Sequence, residues 1–335
     1  MLKNKKINII LLILITCLVL YFSLKDNFME VVNQIITMNI WYILLALLLL
    51  LLFFVFKSIS IYLFCKKINK DFKFLEALQL IFRTQFFNAI TPFATGGQPY
   101  QIYYLKQCNI DYASSTGIVL ENFIVYQIAL VLLGLFALIT NNIYDFFDSS
   151  NLLTKLITLG FIINTLIIVI MFVVAFSKKM NKWLITLGIN ILTKLKIVKS
   201  QEKTLKRWNN NINDFHEGAK KLLEDKKVFI GNIIINFVAL TCQYMVPLFI
   251  LYAMGIFDAM TVLSVISASA YVLLIGSFVP IPGGTGGLEF GFVTFFGNFI
   301  RGSKLSALML VWRFITYYFG LIFGAVALNI KKVKQ

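Results

Sequence analysis

Pro282-Gly283-Gly284-Thr285-Gly286-Gly287-Leu288-Glu289 decides how this chain is read. The stretch lies in a long apolar region, where a proline, a cluster of glycines and a carboxylate are each costly to place. Its core occurs a second time as Pro92-Phe93-Ala94-Thr95-Gly96-Gly97, so Pro92 and Pro282 stand 190 positions apart. Both copies read P-x-x-T-G-G, and in each a short apolar helical pattern precedes the break and another follows it. Paired interruptions in the two halves of a membrane protein point to a transport site.

The composition surrounding that motif is 59% hydrophobic and 14% charged, with a mean hydropathy of +0.83. Charged residues make up about a quarter of an ordinary soluble domain, so a water-soluble globule is excluded. Several apolar runs reach the ~20 residues that cross a bilayer core. Barrel-type alternation is absent, which leaves an all-α polytopic bundle. The net charge of +16, from 31 Lys+Arg against 15 Asp+Glu, follows from the bias of basic residues toward the cytoplasmic side and from anionic headgroups rather than from nucleic acid. Four scattered cysteines and one histidine, His216, give no disulfide framework and no metal site. No nucleotide-binding motif occurs, and no cofactor is expected.

Taken in order, an apolar run from about Ile7 to Leu24 follows Lys3, Lys5 and Lys6 and reads as a retained first span with a cytoplasmic N-terminus. The second span is predicted at about 40–64, its exit marked by Lys57, Lys66, Lys67, Lys70 and Lys73. Residues ~74–90, the break from Pro92 to Pro99 and residues ~100–108 form two pieces too short to cross, and a re-entrant pair of half-helices is predicted. Spans follow at about 115–140 and 152–176, joined by a loop with Asp145 and Asp148 placed outside. Residues 177–227 are one basic cytoplasmic loop, in which Trp183, Leu184, Leu187, Ile191 and Leu195 recur at helical spacing. Further spans are predicted at about 228–254 and 260–279, a short helix at ~286–300, and a last span at ~305–330 ending in Lys331, Lys332 and Lys334. The expectation is seven or eight transmembrane helices plus re-entrant half-helices, in a single domain over 1–335.

An ionisable side chain within a span marks a functional site by default, because it is costly unless paired or hydrated. Four qualify: Arg83 and Glu121 around the first copy, Glu289 and Arg313 around the second. Substrate contact and structural ion pairs (Glu289 with Arg313, Glu121 with Arg83) both account for them, and Glu289 also suits the first turn of a helix as a cap. Gly96-Gly97 and Gly286-Gly287 sit just beyond a proline, where a half-helix N-terminus can face an anion such as a phosphate. Gly283, Gly287 and Gly291, spaced by four, equally suit close helix packing. Tyr100 and Tyr104, with Tyr103, are placed either to line a wet cavity or to anchor at the interface. The re-entrant motif residues are therefore Pro92, Thr95, Gly96, Gly97 and Pro99, and Pro282, Gly283, Gly284, Thr285, Gly286 and Gly287.

At these residues the sequence resembles a known family. The pattern T-P-x-x-x-G-G-x-P from Thr91, the following Tyr104-Leu105-Lys106, and P-x-P-G-G-x-G-x-x-E from Pro280 to Glu289 look like the transmembrane region of lysylphosphatidylglycerol synthases, a bacterial and archaeal family often described as flippase-like. The resemblance implies a bacterial plasma-membrane protein that moves aminoacylated phosphatidylglycerol between leaflets, with a separate aminoacyl-lipid synthase as partner. The family name also implies phosphatidylglycerol lysyltransferase activity, which in full-length synthases belongs to a cytosolic domain without counterpart in these 335 residues. Where the family's first motif carries an acidic and then a basic residue, this chain has Gln98 and Tyr100-Gln101. A polyprenyl-linked or glycolipid carrier and a non-catalytic scaffold are the other readings, and the sequence leaves open whether the chain forms a homo-oligomer. The partner expected in every transport reading is a membrane phospholipid or related lipid, not nucleic acid.

Overall fold

The computed structural model describes residues 28–147, 151–177, 225–277 and 279–330, together with 179, 183, 186 and 190. The expected first span, Asp148, nearly all of the basic loop with its amphipathic pattern, and the C-terminal lysines lie outside the described residues. Twelve helices are assigned in the segments described here: α1 (Phe28–Ile36), α2 (Ile40–Ile68), α3 (Phe74–Ala89), α4 (Gly97–Gln107), α5 (Tyr112–Tyr144), α6 (Asn151–Phe176), α7 (Lys226–Tyr244), α8 (Val246–Ala253), α9 (Val262–Gly276), α10 (Gly287–Phe296), α11 (Gly302–Arg313) and α12 (Phe319–Asn329). A π-helical turn, Phe314–Tyr318, joins α11 to α12. The described residues form an all-α membrane protein.

Among the described residues, five stretches are long and apolar enough to cross a bilayer: Ile40–Ile68, Tyr112–Tyr144, Lys155–Val173, Lys226–Ala253 and Gly302–Asn329. The fourth is notched at Met245, because Pro247 supplies no N–H to the preceding turn. Local chemistry fixes the helix starts: Asn39 Oδ1 accepts from Trp41 N at 3.0 Å, Asp111 Oδ1 from Ser114 N at 2.9 Å and Thr261 Oγ1 from Ser264 N at 3.2 Å. Burial runs opposite to that of a soluble protein. Ser58, Ser60, Glu121, Asn122, Asn232 and Asn236 are buried, while Leu44, Leu48, Ile162, Leu166, Ile170 and Ile234 are exposed. Polar groups face the bundle interior because lipid offers them no partner.

The short helices make two hairpins. The first, α3–turn–α4, matches the predicted re-entrant pair. The second, α9–turn–α10, differs from expectation: residues ~260–279 form a helix of only 15 residues rather than a span, and α10 packs back along it. The two hairpins open at opposite ends of α2. At its C-terminal end, Asn69 Nδ2 donates to Cys108 O at 3.0 Å, so the base of the first hairpin is there. At its N-terminal end, Asn39 N donates to Ala253 O at 2.8 Å, and Tyr42 packs edge-on against Phe257, shortly before α9 begins. The 29 residues between these ends span about 43 Å. Helix α5 repeats the arrangement, starting beside Cys108 and ending where Phe147 packs on Phe295 and Phe299 of the second hairpin. The tips meet, turn against turn.

Candidate functional site

The second turn is built around a buried ion pair. Gly283 (φ 68°), Gly284 (φ 63°) and Gly286 (φ 90°) reverse the backbone between α9 and α10 through the left-handed region that favours glycine. Thr285 Oγ1 donates back to Pro282 O at 2.9 Å and fixes the turn. Glu289, three residues past Gly286, accepts from Gly286 N through Oε2 at 2.6 Å, so it caps α10 as its position suggests. Its other oxygen, Oε1, accepts from Arg313 Nε at 2.6 Å. Capping and pairing are therefore one arrangement.

Arg313 also donates through Nη2 to Gly283 O at 3.1 Å and to Thr285 Oγ1 at 3.4 Å, and its guanidinium lies over the Tyr317 ring at 4.9 Å. Both charges are nearly enclosed, at 8% exposure for Glu289 and 6% for Arg313. In so dry a place each is tolerable only because the other is present. The π turn begins directly after Arg313, an irregularity common beside functional sites. Packing locks the glycines as well. A Cβ on Gly283 would run into the Tyr317 ring, and one on Gly287 into Val279.

The first turn has the same outline with other parts. Thr95 Oγ1 donates to Pro92 O at 3.0 Å, the counterpart of Thr285. Thr91 Oγ1 accepts from Gly96 N at 2.8 Å. Pro99 stands where Glu289 stands in the second copy, so no carboxylate closes this turn. Pro92, Phe93, Ala94 and Thr95 are exposed, whereas Pro282, Thr285 and Glu289 are buried. Gly97 is buried against Asn88 and Thr84, with no room for a Cβ. Tyr317 ties the turns together: its hydroxyl donates to Ala89 O, at the end of α3, at 3.0 Å.

The remaining predicted residues divide. Arg83 joins Tyr100 and Tyr104, lying 5.3 Å from the Tyr104 ring and beside the Tyr100 hydroxyl. Its bonds, however, go from Nε to Ala327 O at 2.9 Å and from Nη2 to Ile330 O at 2.6 Å, at the C-terminal end of α12. A cation there satisfies carbonyls that the helix leaves open. The alternative pairing of Glu121 with Arg83 is therefore corrected: it does not form. Glu121 is fully buried on α5, and neither carboxylate oxygen has a hydrogen-bond partner. Tyr100 stacks on Phe87 at 4.4 Å, and the Tyr104 hydroxyl donates to Gln79 Oε1 at 3.2 Å.

Sequence reasoning missed Tyr317, although its place four residues past Arg313 was a usable signal. It also put Lys57 at a helix exit. In the structure Lys57 lies well inside α2, where Nζ donates to Asn236 Oδ1 at 3.1 Å. Among the described residues, no group of three or more His, Cys, Asp or Glu is placed to hold a metal ion.

A family model described as the lysylphosphatidylglycerol synthase TM region matches residues 9–324. A UPF0104 membrane protein from Archaeoglobus fulgidus is 23% identical over 98% of this chain and 97% of its own length.

Proposed function

The chain belongs to the lysylphosphatidylglycerol synthase transmembrane-region family, and from that premise we propose that it translocates a phospholipid, in the first instance aminoacylated phosphatidylglycerol such as lysylphosphatidylglycerol, between the leaflets of a plasma membrane. One observation carries the reading: two helical hairpins open at opposite ends of the bundle and touch at their tips. Non-helical backbone at membrane depth is stable only against protein or a wet cavity. The second turn is held against protein, and the exposed first turn supplies the surface a headgroup can reach. The paired hairpins follow the transporter pattern of a midplane site between repeats.

In this reading the headgroup passes the tips while its acyl chains stay in lipid beside the exposed apolar faces. Glu121, with no bond to break, takes an amine, and Tyr100 and Tyr104 line the path beside Arg83. Lys66, Lys67, Lys70, Lys73, Lys106, Lys226 and Lys227 cluster near the end where the first hairpin opens. The bias of such residues supports a cytoplasmic position for that end and for both chain termini. A separate synthase supplies the aminoacylated lipid.

Reconstitution tests the reading. Vesicles holding purified protein are assayed for leaflet exchange of fluorescent and aminoacylated phospholipids, beside a Glu289→Gln, Arg313→Ala double variant. Faster exchange than in empty vesicles, lost in a double variant that remains folded, is expected. Exchange equal to empty vesicles for every headgroup, with folded protein, contradicts it. One observation favours a second reading, of a scaffold: Arg83 and Arg313 spend their bonds on acceptors within the protein. A scaffold loses stability in the double variant and shows no exchange in the wild type.

A further inference from the structure

A third interior cation is bound quite differently from Arg83 and Arg313. Lys57 sits in the α2–α5–α7 interface, over the Tyr126 ring at 4.0 Å, and its one hydrogen bond shown is to a neutral amide, Asn236 Oδ1. That amide is held in place: Asn236 Nδ2 donates to Asn232 O at 2.8 Å and to Ser60 Oγ at 2.9 Å, and Ser60 Oγ donates to Asn122 Oδ1 at 2.9 Å. The result is a fixed polar layer linking three helices. No carboxylate forms an ion pair with Lys57 among the described residues. An ammonium group has three donors and no acceptor, so hydrogen bonds are left to give. Lys57 itself remains partly exposed, so the layer is not sealed.

Charge decides the ligand class. A cation held by an aromatic face and a neutral amide lacks the counter-charge that a buried ionic group needs. The spare donors ask for an acceptor-rich anion. We propose that Lys57, with the Asn236 layer, is a phosphate-binding site inside the bundle, separate from the paired turns. The phosphate is that of a lipid headgroup or a free one. As a lipid site it rests on the translocation reading, since it gives the passing phosphate a place that Arg313, engaged with Glu289, does not offer.

Binding rather than flux tests it, so that loss of translocation and loss of this site are read separately. Native mass spectrometry of the full chain measures retention of phosphatidylglycerol against phosphatidylcholine, and thermal unfolding measures stabilisation by inorganic phosphate. Lys57→Gln is expected to lower phosphatidylglycerol retention about ten-fold, the size of one charge-assisted bond. Lys57→Arg, which keeps the charge, is expected to retain most of it. Loss of phosphate stabilisation in Lys57→Gln, with lipid retention unchanged, supports the site with free phosphate as its source. Lys57→Gln behaving as wild type in both measurements overturns the proposal. So does equal loss in Lys57→Arg and Lys57→Gln, which would make Lys57 a packing residue only.

Discussion

In the turn at Pro92, Phe93 (φ 53°) and Ala94 (φ 52°) take the left-handed conformation; in the turn at Pro282, Gly283 (φ 68°) and Gly284 (φ 63°) take it. The path is shared through these two residues, and so is the threonine bond back to the proline carbonyl, before Gly96 (φ −72°) and Gly286 (φ 90°) part. The means of holding it are not. The second turn uses glycines that adopt the shape freely, then fastens them with a carboxylate cap, an arginine and a tyrosine ring. The first forces side-chain-bearing residues into a costly conformation and leaves them exposed. One motif thus serves two ends: a locked turn that fixes the junction, and a strained open turn in contact with it. Strain that persists beside a site is a common mark of function.

The contrast breaks most severely at Arg313. Arg313→Ala leaves Glu289 buried without its partner, and a loss of about 3–5 kcal/mol is expected. Denaturant unfolding in micelles measures it, and Glu289→Gln, Arg313→Met together should recover a large part. Next comes Gly283→Ala, which adds left-handed strain and a collision with Tyr317, for a cost of about 2–3 kcal/mol. Adding Tyr317→Ala should relieve the collision and leave the strain, so partial rescue in thermal unfolding separates the two. In the first turn the sign reverses. Ala94→Gly is expected to stabilise by about 0.5 kcal/mol, the relief of strain offset by the freedom glycine adds to the unfolded chain. Loss of stability there would show that the first turn is not strained.

The smallest effect lies away from the turns, where Lys67 Nζ meets Asp225 Oδ2 at 2.7 Å and clips α2 to the start of α7. The hydrogen bond from Lys67 holds the exposed Asp225 carboxyl below its ordinary value of 3.8. Its small contribution is therefore complete above that value and fades as pH falls through the lowered one. Acid unfolding of Asp225→Asn beside wild type should differ only above that range, with the wild type slightly more stable.

Both breaks were legible because proline and glycine in an apolar run have few explanations other than a turn inside protein. Glu289 with Arg313 was legible as a pair, since few other charges share that region. The length of the second hairpin was not: the residues from 260 to 279 are as apolar as a span, and only packing against α10 shows that they turn back. Nor was the partner of Arg83, because Ala327 and Ile330 bond through backbone carbonyls, which carry no sequence signature. Lys57 was misplaced because lysines follow it at positions 66, 67, 70 and 73, and apolarity alone does not say where one helix stops.

The central claim is that the two hairpins enter from opposite sides and meet. Single cysteines at Lys106, at the base of the first, and Asn298, at the base of the second, replace the native residues in a chain whose own four cysteines have been changed to alanine. A membrane-impermeant maleimide is added to one side of sealed, uniformly oriented vesicles, then to both after permeabilisation. The expected result is that only one of the two positions labels from a given side, and the other only after permeabilisation. Labelling of both from the same side would contradict the account.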